Sequence, residues 1–301
     1  MDQLTLLIYI QIALYATTTF IAFLYASIIL CIRRFRETNN IFIANICLSI
    51  TFTCSYFASY FPTMMTMYET PYLCVFYTYL FNLASIAVPY SFLAFSFHRY
   101  CMIIYHKNSL FKKKRWTIMC IAGLWTFQLI ISLPFIGEYD EYCSMKIWMG
   151  YYTFITAVVI PLVIKSALDI RIFVFVRHSS RRVQPQAPSA ITHGHTTNSH
   201  QPRISSRDIS LLKHMIFTFL AFLIGWTPVF LLNIIDAIIP GHIFQIIYCT
   251  YLSVFCTFSI VIYLFIYNRD LRQFLCNLFR RCCHLHWEKF FLFVLRCLHT
   301  E

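Results

Sequence analysis

Three sets of residues in this 301-residue chain are spaced as chemistry would require. In the first, Cys74 opens an apolar run that His98-Arg99-Tyr100 closes. The cysteine could join a disulfide, and the arginine could exchange one carboxylate partner for another as a switch. In the second, Lys165 and Asp169 stand four residues apart inside another apolar run, the spacing at which opposite charges meet on one helix face. Two readings stay open there: an ion pair that neutralises both charges, and a polar cavity near one end of a helix bundle. In the third, Trp226 precedes Pro228 by two residues, an aromatic body beside a helix kink. That placement suits either core packing or a hinge.

These residues need elements to hold them, and the composition says which. The chain is 59% hydrophobic, 19% aromatic and only 12% charged, with a mean hydropathy of +0.65, the profile of a membrane protein. Apolar runs recur at 4–32, 41–66, 73–105, 116–137, 147–176, 209–239 and 243–267. Each is close to the roughly 20 residues that cross a bilayer as a helix, so seven spans are expected. Counting loops alternately, 21 of the 24 Lys and Arg residues fall on one side, Lys146 alone falls on the other, and Lys165 and Arg171 lie within the fifth run. Basic residues accumulate on the cytoplasmic face, which places the amino terminus outside and the carboxyl tail inside. The net charge of +12 is accounted for by this asymmetry and gives no argument for nucleic acid.

The first run is too long for a signal peptide and ends in Arg33-Arg34-Phe35-Arg36, so a retained first helix is expected. Only about three residues precede it, and no tethered outer ligand-binding domain is expected. Pro89, mid-way along the third run, frees a backbone carbonyl that neighbouring helices must re-satisfy, which calls for a helix surrounded by others. Residues 178–206 are rich in Ser, Pro, His, Gln and Thr and read as a disordered cytoplasmic loop. After the seventh run, Leu271, Phe274, Leu275 and Leu278 share one face opposite arginines, as in an interfacial helix. Cys282 and Cys283 beyond it are palmitoylation candidates, with free cytosolic thiols as the alternative. The tail 284–301 is short and rests on the membrane.

Enzyme and transporter readings find little support. Ten of the eleven histidines lie on the cytoplasmic side or in tails, and no run carries a His pair at metal-ligand spacing. No catalysis, metal or cofactor is expected. A transporter would need charges along a pathway or paired repeats, and only Lys165, Asp169 and Arg171 qualify.

Seven spans, an outside amino terminus, an amphipathic eighth helix and a 25-residue spacing from Cys74 to Arg99 resemble the rhodopsin-like (class A) G-protein-coupled receptors over about residues 5–283. The fold class implied is an all-α membrane protein, a seven-transmembrane helix bundle with an amphipathic eighth helix, its receptor domain spanning 1–283. Trp125, Pro161, Phe222, Trp226 and Pro228 fall where that family has its fourth-, fifth- and sixth-helix landmarks, with Gly225 where cysteine is usual. Tyr263 and Asn268-Arg269-Asp270 resemble the end of the seventh helix. The departures are Ile50 at the sodium-site aspartate, Ser259-Ile260 for Asn-Pro, His98 for the acid beside Arg99, Asp169 for a tyrosine, and Pro89 for a hydrophobe.

The resemblance implies a disulfide between Cys74 and Cys143, and a switch of Arg99 and Tyr100 with Asp208 and Tyr263 at the cytoplasmic face, where a heterotrimeric G protein is the partner. It implies an extracellular ligand, a peptide or a small molecule, held among Phe81, Asn82, Ser85, Thr153, Phe222, Trp226, Pro228, Phe230, Asn233, Cys249 and Ser253. Phe81 stands where amine receptors have aspartate and Ser253 where opsins have the retinal lysine, so neither ligand class is expected. A non-coupling receptor-like protein is the main alternative.

Overall fold

The computed structural model describes residues 3–67, 71–105, 109–136, 146–181, 206–239, 241, 243–268, 270–274 and 276–277. It divides into two compact units, Met1–Ile260 and Val261–Glu301. Every regular element among the described residues is helical, as lipid requires of a chain that must satisfy its backbone polar groups internally. The long helices are α1 (Gln3–Cys31), α2 (Thr38–Met67), α3 (Pro71–Ile104), α4 (Lys114–Ser132), α5, α6 (Ser206–Ile238) and α7 (Ile243–Tyr267).

The fifth helix, α5, is the irregular one. It starts as Ile147–Phe154, widens into a π-helical turn over Ile155–Val159, and resumes as Ile160–Arg181. In the widened turn the Ile160 N–H reaches the Ile155 carbonyl, five residues back. Pro161 explains the break, because it lacks an N–H and its ring crowds the carbonyl four residues earlier. The other six helices are long and apolar enough to cross a membrane, whereas α5 is interrupted and carries Lys165, Asp169 and Arg171 in its second half. The helix also continues to Arg181, four residues into the tract expected to be disordered; 182–205 of that tract lie outside the described residues.

Helix α3 is the centre of the first unit. Its apolar window is 83% buried, against 17% for α4, so α3 is walled by protein and α4 faces lipid. The buried residues of α4 are Thr117, Gln128 and Ser132, while Ile118, Met119, Phe127, Leu129 and Ile130 point outward. This inverts the pattern of a water-soluble helix, because apolar residues gain nothing by leaving lipid and polar ones do.

Small polar residues tie the helices to α3. Asn45 of α2 donates to Ser91 Oγ at 3.0 Å and accepts from Trp125 Nε1 of α4 at 3.0 Å, while Ser49 and Ser91 share a bond of 2.6 Å. Thr53 of α2 donates to the Ala84 carbonyl at 2.7 Å, beside the Ser85 carbonyl that Pro89 deprives of its helical donor. That bond reaches the carbonyl next to the freed one and not the Ser85 carbonyl itself. Asn45→Ala would orphan the Trp125 N–H and is expected to cost about 1–3 kcal/mol. Each kcal/mol corresponds to about 2–4 °C in Tm at this size, and an unchanged melting curve in detergent would remove Asn45 as the hub.

In the second unit, Asn268 follows the last turn of α7, and its Oδ1 accepts the Leu271 N–H at 3.2 Å. This caps a helical piece over 270–274, in which Arg272 and Gln273 are exposed. This short piece lies where the sequence expects the eighth helix; 275 and 278–301, over which that helix was to continue, lie outside the described residues.

Candidate functional site

Phe222, Trp226 and Phe230 recur at four-residue intervals, so they stand above one another on α6. Their rings stack at centroid distances of 5.9 Å, with interplanar angles of 24° and 28°. Trp226 is buried, and its indole N–H donates to Thr257 Oγ1 of α7 at 3.0 Å. Thr257 in turn donates to the Ser253 carbonyl at 2.7 Å. From the other side Phe57 of α2 lies 5.0 Å from the Trp226 ring, stacks on Tyr15 of α1 at 5.7 Å and meets Phe81 of α3 at 6.3 Å. The Tyr15 hydroxyl lies 3.5 Å from Ser253 Oγ. Trp226 is thus held by rings from α2 and α6 and by a hydrogen bond to α7. A group that displaced Phe57, Phe81 or Phe230 would be felt at the residue beside the Pro228 kink.

The polar residues nearby are largely spent on the protein itself. Asn82 donates to Ser132 Oγ at 2.9 Å and accepts from Thr153 at 3.1 Å, which joins α3, α4 and α5. Ser85 donates to the Phe81 carbonyl at 2.7 Å and Asn233 to the Val229 carbonyl at 2.8 Å, each within its own helix. The wall formed by Phe81, Trp226 and Phe230 is left aromatic, with Cys249 half-buried and unbridged. Above it, the turn between α6 and α7 uses Gly241 at φ 123°, in the left-handed region that suits glycine. The Gly241 N–H donates to Asp236 Oδ1 at 3.1 Å.

At the other end of α3, Arg99 is buried and lays its guanidinium carbon 5.4 Å from the centre of the Phe95 ring. It does not snorkel toward the headgroups as a stranded arginine would. His98 is buried against Phe42 of α2, with ring centroids 4.7 Å apart. Tyr100 points away and begins an aromatic chain, Tyr100–Tyr105–Phe111–Trp116, that carries α3 into α4 at centroid distances of 6.3, 5.8 and 5.0 Å. On α5, Lys165 Nζ lies 2.5 Å from Asp169 Oδ2. Internal neutralisation is therefore the arrangement the fifth helix adopts.

A family model described as the 7 transmembrane receptor (rhodopsin family) matches residues 22–267. This chain belongs to the rhodopsin family of seven-transmembrane receptors. A comparison with curated proteins returns no match. The family match takes in the interrupted α5, the last part of α1 and the five other uninterrupted spans. The receptor is thus a multi-pass membrane protein whose fifth span carries a built-in ion pair.

The structure brings Phe81, Phe222, Trp226, Phe230 and Ser253 into one cluster and joins Asn82 to Thr153. Arg99 stands eighteen residues from Phe81 on α3, about 27 Å at 1.5 Å per residue. Cys74 is disulfide-bonded, while Cys143, the acidic residues Glu69, Glu138, Asp140 and Glu141, the Asp208 side chain, and Cys282 and Cys283 lie outside the described residues. Tyr263 belongs to the second unit. Sequence reasoning missed Tyr15, Phe57, Ser132 and Thr257. Each is one polar or aromatic residue in an apolar helix, and the spacing Ser253–Thr257, one helical turn, was the only signal for the last.

Proposed function

We propose that the receptor binds an extracellular ligand against the aromatic wall around Trp226 and activates a heterotrimeric G protein at the Arg99 end. The observation that carries this reading is Trp226 itself. It is gripped by α2, α6 and α7 two residues before the Pro228 kink, so a ligand's contact with the wall becomes a bias on the inner part of α6. Coupling of this kind requires only that the ligand prefer one of two bundle arrangements. The plasma membrane is the location this reading implies, and the amino terminus outside follows from the basic residues gathered at the Arg99 end. The disulfide partner of Cys74 is assigned to Cys143, a reading supported by Cys249 being unbridged. No side chain of the aromatic wall is charged, which favours a ligand with an aromatic or aliphatic core, and the acidic residues Glu69, Glu138, Asp140, Glu141 and Asp236, expected from the sequence at the outer rim, would attract a cationic group on it.

The deciding experiment is a panel of chimeric G proteins against peptide and small-molecule libraries, in cells with verified surface expression. Activation through any one chimera supports the proposal, and silence across the panel at full surface expression would make this a non-coupling receptor. In the same cells Asp208→Ala is expected to raise ligand-independent signalling, because Asp208 is assigned as the resting partner of Arg99. Unchanged basal signalling at equal expression would count against that lock.

A further inference from the structure

The Lys165 ammonium does more than neutralise Asp169. Lys165 is 1% exposed, and its Nζ sits 5.2 Å from the centre of the Phe219 ring on α6. Phe219 in turn meets Phe92 of α3 edge-on at 6.0 Å. A lysine this deep would be too costly without its carboxylate, and with Asp169 supplying the charge the ammonium is free to use an aromatic face as its second partner. The geometry makes the most of that face, because a cation over a ring gains more when water is excluded. Phe219 lies nine residues before Pro228, on the part of α6 that would swing if the helix bends there. The second carboxylate oxygen of Asp169, Oδ1, is buried and accepts no hydrogen bond, so the ion pair is held by Lys165 alone and is not dispersed among other donors.

We propose that Lys165, neutralised by Asp169, is a clamp that holds the inner half of α6 against α5 through the face of Phe219, and that it sets the ratio of closed to open arrangements of α6. The clamp rests on the coupling proposal only for its consequence in signalling; its mechanical effect is independent of any G protein. It is a device on one helix pair, separate from the restraint proposed between Arg99 and Asp208, and the two act on α6 through different residues.

The test is a distance measurement on the full-length purified receptor. Spin labels on unnatural residues at Lys114 of α4 and Lys213 of α6, both exposed, report the separation of the two helix ends by pulsed EPR. Lys165→Met with Asp169→Asn removes both charges together and leaves no stranded ion, while Phe219→Leu removes the ring and keeps an apolar side chain. Each is expected to move the closed-to-open ratio toward open by roughly two- to thirtyfold, the range from an exposed to a desolvated cation–π contact, and Phe219→Trp should move it toward closed. Combining Phe219→Leu with the charge removal should add nothing beyond either alone. Unchanged distances, or two shifts that simply add, would overturn the clamp. Shifted distances without any signalling would leave the clamp standing and remove the coupling proposal, and raised basal signalling at unchanged distances would do the reverse.

Discussion

Arg99→Ala is expected to abolish G-protein activation while the receptor still reaches the cell surface. Arg99 is 9% exposed at the end of a helix that protein surrounds almost completely, with its guanidinium over Phe95 one turn earlier. An arginine with no role in the bundle would place its head in water at lower cost, and this burial is what supports the proposed role of Arg99 in coupling. Truncating one partner of a buried charged contact costs about 2–5 kcal/mol, so the coupled output should fall on the order of thirtyfold or more at equal surface density. Arg99→Lys provides the control. It keeps the charge and loses the flat guanidinium that stacks on Phe95, so it should retain expression and recover only part of the signal. Full activity in Arg99→Ala would remove the switch from this end of α3.

The neighbour of Arg99 sharpens that expectation. His98 is turned toward α2 and packs on Phe42, so it gives Arg99 no carboxylate on its own helix. Restraint must then come from other helices, and the proposals here name two sources: Asp208 for the arginine and the Lys165–Phe219 contact for α6 itself. Trp226 stacks on Phe222 of the same helix, and its hydrogen bond to Thr257 ties that turn to α7.

The bundle was legible in the sequence because lipid leaves a chain few options. Runs of apolar residues near the bilayer length, with basic residues on one side, predict helices and their order without any packing detail, and Pro89, Pro161 and Pro228 announce where those helices deviate. What a linear reading cannot give is facing. Nothing in the sequence shows that Asn45 is a hub for Ser91 and Trp125 or that Ser132 binds Asn82. In a water-soluble helix the apolar stripe would have revealed which side is inside. Here both sides are apolar, so only the partners distinguish a lipid-facing serine from a bridging one. The π-helical turn was hidden for a related reason: a proline such as Pro161 removes a helical donor, but whether the chain kinks or widens there depends on what packs against it. The Lys165–Asp169 pair could be read either way from its spacing, and the 2.5 Å contact decides for neutralisation.

Gly225→Val is the substitution expected to do most damage to the fold. A methyl group built on Gly225 would lie 2.7 Å from Cys256 Cβ and 3.2 Å from both Cys256 Sγ and the Ser253 Cα. Two of those three contacts are with atoms at or next to the backbone, which no rotamer change can withdraw. The missing side chain is therefore what lets α6 approach α7 closely enough for Trp226 Nε1 to reach Thr257, as small residues do at membrane helix contacts. Overpacking of this kind costs about 1–3 kcal/mol for a methyl group and more for a branched side chain. Gly225→Ala is accordingly expected to lower the melting temperature, and Gly225→Val to leave little folded receptor at the surface. Cys256→Gly placed in the Gly225→Ala background should recover part of the loss, since it removes two of the three close atoms while the Ser253 backbone remains. If Gly225→Val reached the surface with an unchanged melting temperature, the close approach would not be holding these helices together. If Gly225→Ala folded normally but lost signalling, the contact would matter for movement between α6 and α7 and not for their stability.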